Sequence, residues 1–386
     1  MAGNTKGKTE NRNRVFRYIN QFEYITRQEI ALELGISAPT VMQMVNELTD
    51  MGLVVEKGEL KSTGGRKPKA IAPNREAVSS LGIDITRNHL SIVATDLSER
   101  VLAHVRISKP FRAEKAYYES IAEELEQFRR QYGAAKEKIL GVGISIPGIV
   151  NRDENKISYS HILKVRDFPC SEIGQYIEYP TVLLNDANAA AVTEMRGPRQ
   201  KGLVYLSLSN SVGGSILLGT DPLDTGSGIC VRGADAGIWG GSNWRSGEFG
   251  HMVLDRNGPA CYCGKQGCLD VYCSALKLAS LADGSLDQFF AGVRGGNSRY
   301  QEAFRHYLSY LAVAVENLHM VFDCDVVLGG YVGGYMDEHM DVFRQMIGEN
   351  NIFEGSGDYV KSCRYKVEAA ALGAAQHYIK EYIKEI

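Results

Sequence analysis

The stretch GEFGHMVLDRNGPACYCGKQGCLD, residues 247–270, crowds four metal-binding side chains into eighteen residues: His251, Cys261, Cys263 and Cys268. The spacing H-x9-C-x-C-x4-C offers three soft sulfurs and one imidazole, the donor set of a closed tetrahedral zinc site. Such a set leaves no open coordination position for a water, so the zinc is expected to build structure and not to hydrolyse. A carboxylate flanks the cluster on either side, Glu248 and Asp270. Those polar groups suggest that the structure holds something.

Upstream, TVLLNDANAAAVTEM (181–195) reads as a buried strand running into a helix. Asn185 and Asp186 then fall at the C-terminal end of the strand, where open α/β sheets bind their ligands. A carboxylate there can accept a proton or a hydrogen bond from a hydroxyl. It can equally cap the helix that follows. ILGVGISIPGIV (139–150) is a further apolar strand, ending in Pro147-Gly148. LGIDITRNHLSIVATDL (81–97) and LVYLSLSNSVGGSILLG (203–219) both read as strand, polar turn, strand. Two such hairpins, each opening a β-rich half, predict a duplicated α/β architecture with a cleft between the halves. Helices are expected over 114–132 and 300–322.

The first fifth of the chain differs in charge. Residues 1–75 hold 12 Lys/Arg against 8 Asp/Glu, and the remainder 31 against 38. A basic module on an acidic body points to an anionic partner for the module alone. Its apolar spacing predicts three helices. Thr26 and Glu29 form a capping-box pattern, Gly35 ends the second helix, and Ser37 caps the third with Pro39 in its first turn. Val41, Val45, Leu48 and Met51 are expected on the buried face of that third helix. Two strands follow, LVVE and KAIA, around the loop KGELKSTGGRKP. This is the order of a winged helix-turn-helix. Ser37, Thr40, Gln43 and Asn46 would then face base edges or phosphates in the major groove, and the wing would offer Arg66, Lys67 and Lys69 to phosphates or a narrow minor groove. A small helical bundle used for protein contacts has a similar pattern.

Eight cysteines are few for 386 residues, and the five outside the cluster are scattered, which favours reduced thiols over a disulfide framework. The polar start MAGNTKGKTENRNR has no apolar segment of a signal peptide, and no run of about eighteen apolar residues exists. A cytoplasmic protein without a membrane span is expected.

NDANAAA, GEFGHMVLD and CYCGKQGCLD, in this order and followed by VVLGG (326–330) and ALGAA (371–375), resemble the ROK family of repressors, open reading frames and sugar kinases. With its N-terminal helix-turn-helix and STGGRKP wing, the chain is similar to the repressor branch, which includes xylose-type and N-acetylglucosamine-type repressors. The resemblance implies a two-lobed actin-like, ribonuclease-H-like domain over 76–386 behind a DNA-binding domain over 1–75. Lobe one would take about 76–185 plus the C-terminal helix, and lobe two about 186–369. It implies a sugar held by Asn185, Asp186, Glu248, His251 and Asp270, with His251 touching sugar and zinc through its two ring nitrogens. Asp186 occupies the position of the family kinases' base, and Asp270 stands where the family usually has Glu.

The family kinases carry D-x-G-G-T in the first hairpin and G-T-G-x-G-G in the second. Here the first reads Asp84-Ile85-Thr86-Arg87-Asn88, and the second Ser209-Asn210-Ser211-Val212-Gly213-Gly214. Most of the glycines that let backbone N–H groups approach a phosphate are replaced by side chains. A sugar-sensing repressor that binds operator DNA as a homodimer or a dimer of dimers is therefore expected, and not an enzyme. Arg87 keeps a sugar phosphate open as effector. The alternative is an active ATP-dependent sugar kinase with an accessory DNA-binding module.

Overall fold

The computed structural model describes residues 2–59, 69–195, 202–219, 237–349 and 355–386. The chain opens with α1 (Ala2–Ile19), β1 (Ile25–Thr26), α2 (Arg27–Leu34), α3 (Ala38–Asp50), β2 (Val54–Glu59) and β3 (Lys69–Pro73). The expected caps form. The Thr26 side chain accepts from the Glu29 N–H while Glu29 reaches back to the Thr26 N–H, Gly35 ends α2 at φ 62°, and Ser37 caps α3. Strands β1, β3 and β2 make a three-stranded antiparallel sheet in that order. Val41, Val45 and Leu48 are buried as expected, but Met51 is 44% exposed. It lies beyond the helix at the C-cap, and Met44 takes the inward place. Arg66 and Lys67 lie outside the described residues.

Next come β4 (Ser79–Ile85), β5 (His89–Asp96), β6 (Ala103–Ser108), α4 (Lys115–Tyr132) and β7 (Ile139–Ile146). The strand expected to end at Pro147-Gly148 does so, with β7 stopping at Ile146. Gly148 turns the chain at φ 139°, where a Cβ would sit 2.7 Å from the Tyr159 carbonyl, and Ser160 donates to the Pro147 carbonyl at 2.6 Å. The chain leaves the main sheet there to form a flap of β8 (Ile149–Asn151), β9 (Lys156–Ser160) and β10 (Val165–Pro169). A short α5 (Ser171–Gly174) leads back to β11 (Thr181–Asn185) and α6 (Asp186–Val192). The first large sheet runs β11-β7-β4-β5-β6, with β11, β7 and β4 parallel.

The second half repeats the opening hairpin as β12 (Leu203–Leu208) and β13 (Val212–Leu217). It continues through α7 (Leu269–Cys273), α8 (Ala275–Ala279), α9 (Leu286–Arg294), α10 (Ser298–Phe322), β14 (Asp325–Gly329), α11 (Gly330–Gly333), α12 (Met340–Gly348) and β15 (Val360–Ser362). Its sheet runs β13-β12-β14-β15. The long α10 contributes Phe304, Tyr307, Leu311 and Val315 to the core beneath that sheet. No helix among the described residues is long and apolar enough to cross a membrane.

The last helix, α13 (Ala369–Glu385), returns to the first sheet and packs on β4, β7, β5 and α6. Its approach is backbone to backbone. A Cβ on Gly82 of β4 would lie 1.9 Å from the Ala371 carbonyl oxygen, and one on Gly143 of β7 would lie 2.0 Å from that of Ala374. On the helix itself, a Cβ on Gly373 would lie 1.7 Å from the Ala189 carbonyl oxygen of α6. Beyond this seat, Ile379, Ile383 and Ile386 enter the same apolar core as Val15, Phe16 and Ile19 of α1. Arg12 donates to the Ile386 carbonyl and Asn13 to that of Ile383, so α1 side chains satisfy carbonyls that the end of a helix leaves open.

Gly82→Ala should cost at least about 2 kcal/mol of unfolding free energy, because backbone atoms on the facing helix cannot rotate away. Gly213→Ala, whose Cβ would meet only the Ala187 side chain at 3.9 Å, should change it by less than about 0.5 kcal/mol. Urea denaturation of the two variants reads the difference directly.

Candidate functional site

The site begins where β11 hands over to α6. Asn185 is the N-cap, its side-chain oxygen accepting from the Asn188 N–H at 2.9 Å. Its amide donates to the Gly148 carbonyl at 2.9 Å and to Asp186 Oδ1 at 3.2 Å. Capping thus belongs to Asn185, which leaves the Asp186 carboxylate directed into the cleft with one oxygen on the Ala187 N–H at 2.9 Å. Burial, and then the negative charge of Asp84, pushes the Asp186 carboxyl up to about 7. Asp84, at the end of β4, is itself buried and raised to about 6, although Ser145 donates to it at 2.9 Å and Arg106 opposes the shift.

Asn185 and Asp186 line a cavity of about 610 Å³ together with Glu248 and His251. Four of the five expected ligand residues therefore meet. Asp270 does not reach the cavity wall. It is 7% exposed in the first turn of α7, and the Val212 N–H donates to it at 2.6 Å. Its carboxylate anchors the turn that opens β13. Burial raises both the Glu248 and the Asp270 carboxyls, against the opposing effect of His251 on each.

His251 joins the cavity to the cysteine cluster. The donor atoms of His251, Cys261, Cys263 and Cys268 all lie within 4.8 Å of one another. Cys261 Sγ is 3.8 Å from His251 Nδ1, and Cys263 Sγ is 3.7 Å from Cys268 Sγ. Ligands on a tetrahedron with Zn–S bonds of about 2.3 Å are separated by roughly 3.8 Å, so the donors present fit such an ion. Nδ1 is on the sulfur side, and His251 also lines the cavity. The loop is shaped by its backbone. Gly267 adopts φ 63°, and a Cβ there would fall 1.5 Å from the Asp255 carbonyl oxygen. Lys265 Nζ donates to the His251 carbonyl at 2.9 Å.

Two residues at this site were not singled out from the sequence. Tyr262, between the first two cysteines, stacks on His161 of the flap with ring centroids 4.3 Å apart and planes 9° from parallel. It also meets the His251 ring edge-on at 5.2 Å. The flap and the metal loop thus touch across the cavity. Of the two tryptophans, Trp244 lines the cavity and Trp239 does not.

A smaller space of about 70 Å³ adjoins the cavity, bordered by Asp84, Thr86, Arg87, Ser209, Asn210, Gly330 and Tyr331. Here Thr86 Oγ1 accepts the His89 N–H at 3.0 Å and closes the β4–β5 turn with a side chain. Arg106 of β6 lies over the ring of Tyr331 on α11, 5.3 Å from its centroid, and links the two halves at this edge.

In the N-terminal module Ser37, Gln43 and Asn46 are exposed and Thr40 is half-buried. The Ser37 and Thr40 hydroxyls share a hydrogen bond at 2.8 Å, and Gln43 donates to Glu47 at 3.0 Å. Lys69 is exposed but paired with Glu56 at 2.7 Å.

The ROK family profile matches residues 80–381, and that of the iron dependent repressor N-terminal DNA binding domain matches 13–60. The xylose repressor of Bacillus subtilis (strain 168) is 27% identical over 282 residues, covering 71% of this chain and 68% of that protein. The crystal structure of a ROK family transcriptional regulator, a homolog of the E. coli MLC protein, superimposes with a TM-score of 0.72 at 21% identity, over 98% of this chain and 97% of that one. A ROK hexokinase from Thermus thermophilus superimposes with a TM-score of 0.57 at 25% identity, over 78% and 97% of the two chains. The N-terminal module is a DNA-binding domain, and the chain that carries it belongs to the ROK family.

Proposed function

We propose that this protein is a sugar-responsive transcriptional repressor of carbohydrate-utilisation genes. The observation that carries the reading is the shared core: a DNA-binding domain whose α1 packs on the same helix, α13, that is seated against the sugar-site helix α6. In this reading residues 1–75 form a winged helix-turn-helix, with Ser37, Thr40, Gln43 and Asn46 toward the major groove and Arg66, Lys67 and Lys69 on the wing. Residues 76–386 form the sensor, with sugar held by Asn185, Asp186, Glu248 and His251 and with Asp270 buttressing the wall. The protein works in the cytoplasm as a homodimer or a dimer of dimers, so that two modules meet two half-sites. Sugar biases one lobe arrangement only by its differential affinity for the two, and a tenfold release of DNA needs about 1.4 kcal/mol of that difference.

Zinc in the His251, Cys261, Cys263 and Cys268 set would supply a tetrahedral cross-link. The chain's own residues do the rest: His251 lines the cavity, Lys265 ties the loop to the His251 carbonyl, and Tyr262 meets the flap. Cys268→Ala should lose metal by elemental analysis and lose sugar binding with it. Normal sugar binding by metal-free protein would remove the structural role.

A kinase reading has one feature in its favour, an Asp186 carboxyl raised to about 7, as suits a base. Against it stand the side chains that fill both phosphate turns. A coupled ADP-release assay over common hexoses, pentoses and amino sugars should show no turnover; turnover abolished by Asp186→Asn would reverse the assignment. The primary test is selection of bound duplexes from a random pool, followed by gel shifts with a sugar panel. Absence of DNA binding at low salt sinks the repressor.

Asp186 also sets a pH dependence. Its folded-state carboxyl is raised from the ordinary 3.8 to about 7, so the stabilisation it gives is complete below about pH 4 and is lost as pH rises toward 7. The melting temperature of Asp186→Asn minus that of the wild type should therefore be more positive at pH 8 than at pH 5.

A further inference from the structure

The cavity wall carries more positive charge than a neutral sugar can use. Besides Asp186 and Glu248 it includes three arginines: Arg152 in the turn after β8, Arg166 on β10, and Arg245 in the loop that leads to Glu248. Hydroxyl groups are served by Asn185, Asp186, Glu248 and His251. Guanidinium groups match carboxylate and phosphate oxygens in a planar, two-pronged geometry, and Arg166 and Arg245 are both exposed to an entering ligand.

The surroundings leave two of these cations available. Arg166 lies over the Tyr159 ring, 4.8 Å from its centroid, which orients it without neutralising it. Two acids of the flap, Glu154 and Asp167, both pair with Lys156. Among the described residues neither Arg166 nor Arg245 makes an ion pair, although Arg245 is near enough to Glu248 to oppose the rise of its carboxyl. The two arginines come from opposite sides of the cavity, one from the flap and one from the loop that follows the second sheet's hairpin.

Resting on the sugar-sensor reading, we propose that the effector is an anionic sugar, bearing a phosphate ester or a carboxylate that Arg166 and Arg245 hold between them, with Arg152 adding to the local field. An anion bridging these two side chains ties the flap to the loop before Glu248, beside the contact that the His161–Tyr262 stack already makes between the flap and the metal loop. The ligand's charge thereby contributes to closure, and its sugar ring to orientation.

The test uses full-length, metal-loaded protein and matched probes: glucose, glucose 6-phosphate and glucuronate; N-acetylglucosamine and its 6-phosphate; xylose. Calorimetric titration should give an anionic probe at least tenfold tighter binding than its neutral parent, and a preference that shrinks as salt is raised. The phosphate and carboxylate members separate the two sources of charge. The Arg166→Ala/Arg245→Ala variant should lose that preference while keeping its melting temperature and metal content, and Arg166→Lys/Arg245→Lys should recover part of it. A neutral parent binding as tightly as its anionic partner overturns the proposal and leaves the sugar sensor standing. Loss on Arg87→Ala with none in the double variant moves the anion to the smaller space and also overturns it. Failure of every sugar to bind takes down the sensor reading itself.

Discussion

The seat of α13 is the contact on which the rest of the structure depends. Three glycines, Gly82, Gly143 and Gly373, remove the side chains that would hold strand and helix backbones apart. The resulting contacts have almost no give, because a carbonyl oxygen pressed against a glycine Cα cannot yield by changing rotamer. Helix α13 therefore moves with the first sheet and with α6 as a unit. Its far end is built into the DNA-binding core by Ile379, Ile383 and Ile386. Lys380, on the same helix, is half-buried, with its ammonium 3.8 Å from Glu99 and 3.5 Å from the Val192 carbonyl at the end of α6. Burial lowers its pKa, with Glu99 opposing. A charge held at two points in this way resists sliding of the helix along its seat.

How much of this could be read in advance varied with the range of the interaction. The caps at Thr26 and Ser37 need only residues three apart, and both were legible. The paired hairpins followed from alternation and turn residues, and the metal cluster from spacing within one loop. The bond that holds Asp270 could not be read locally, because its partner, Val212, is 58 residues away, and nothing in the local text says that a backbone N–H will take the carboxylate. Tyr262 was not legible for the same reason, since its partner His161 is far off in the chain, in the turn between β9 and β10. The glycines under α13 belong to this class as well. Their meaning is a close approach between elements distant in the chain, and a glycine in a strand can also be a bulge or a bend.

The cleft has a graded polarity that follows from this architecture. Its floor, where β4 and β11 end, brings Asp84 and Asp186 together in a setting that disfavours charge on both. Its outer wall, built from the flap and the loop before Glu248, is cationic. Hydrogen-bonding groups at the floor can then switch between donor and acceptor near neutral pH, while the rim keeps a fixed sign. A ligand that has a polar, uncharged ring and a charged tail would enter in only one orientation.

The chain has two tryptophans, both on the loop that precedes Glu248, and only Trp244 borders the cavity. Indole emission shifts to the blue as water leaves the ring. Trp239, 39% exposed and outside the cavity, gives a steady background. The protein thus carries its own optical gauge of whether the cleft is wet or filled, readable without a label in any tube that holds it.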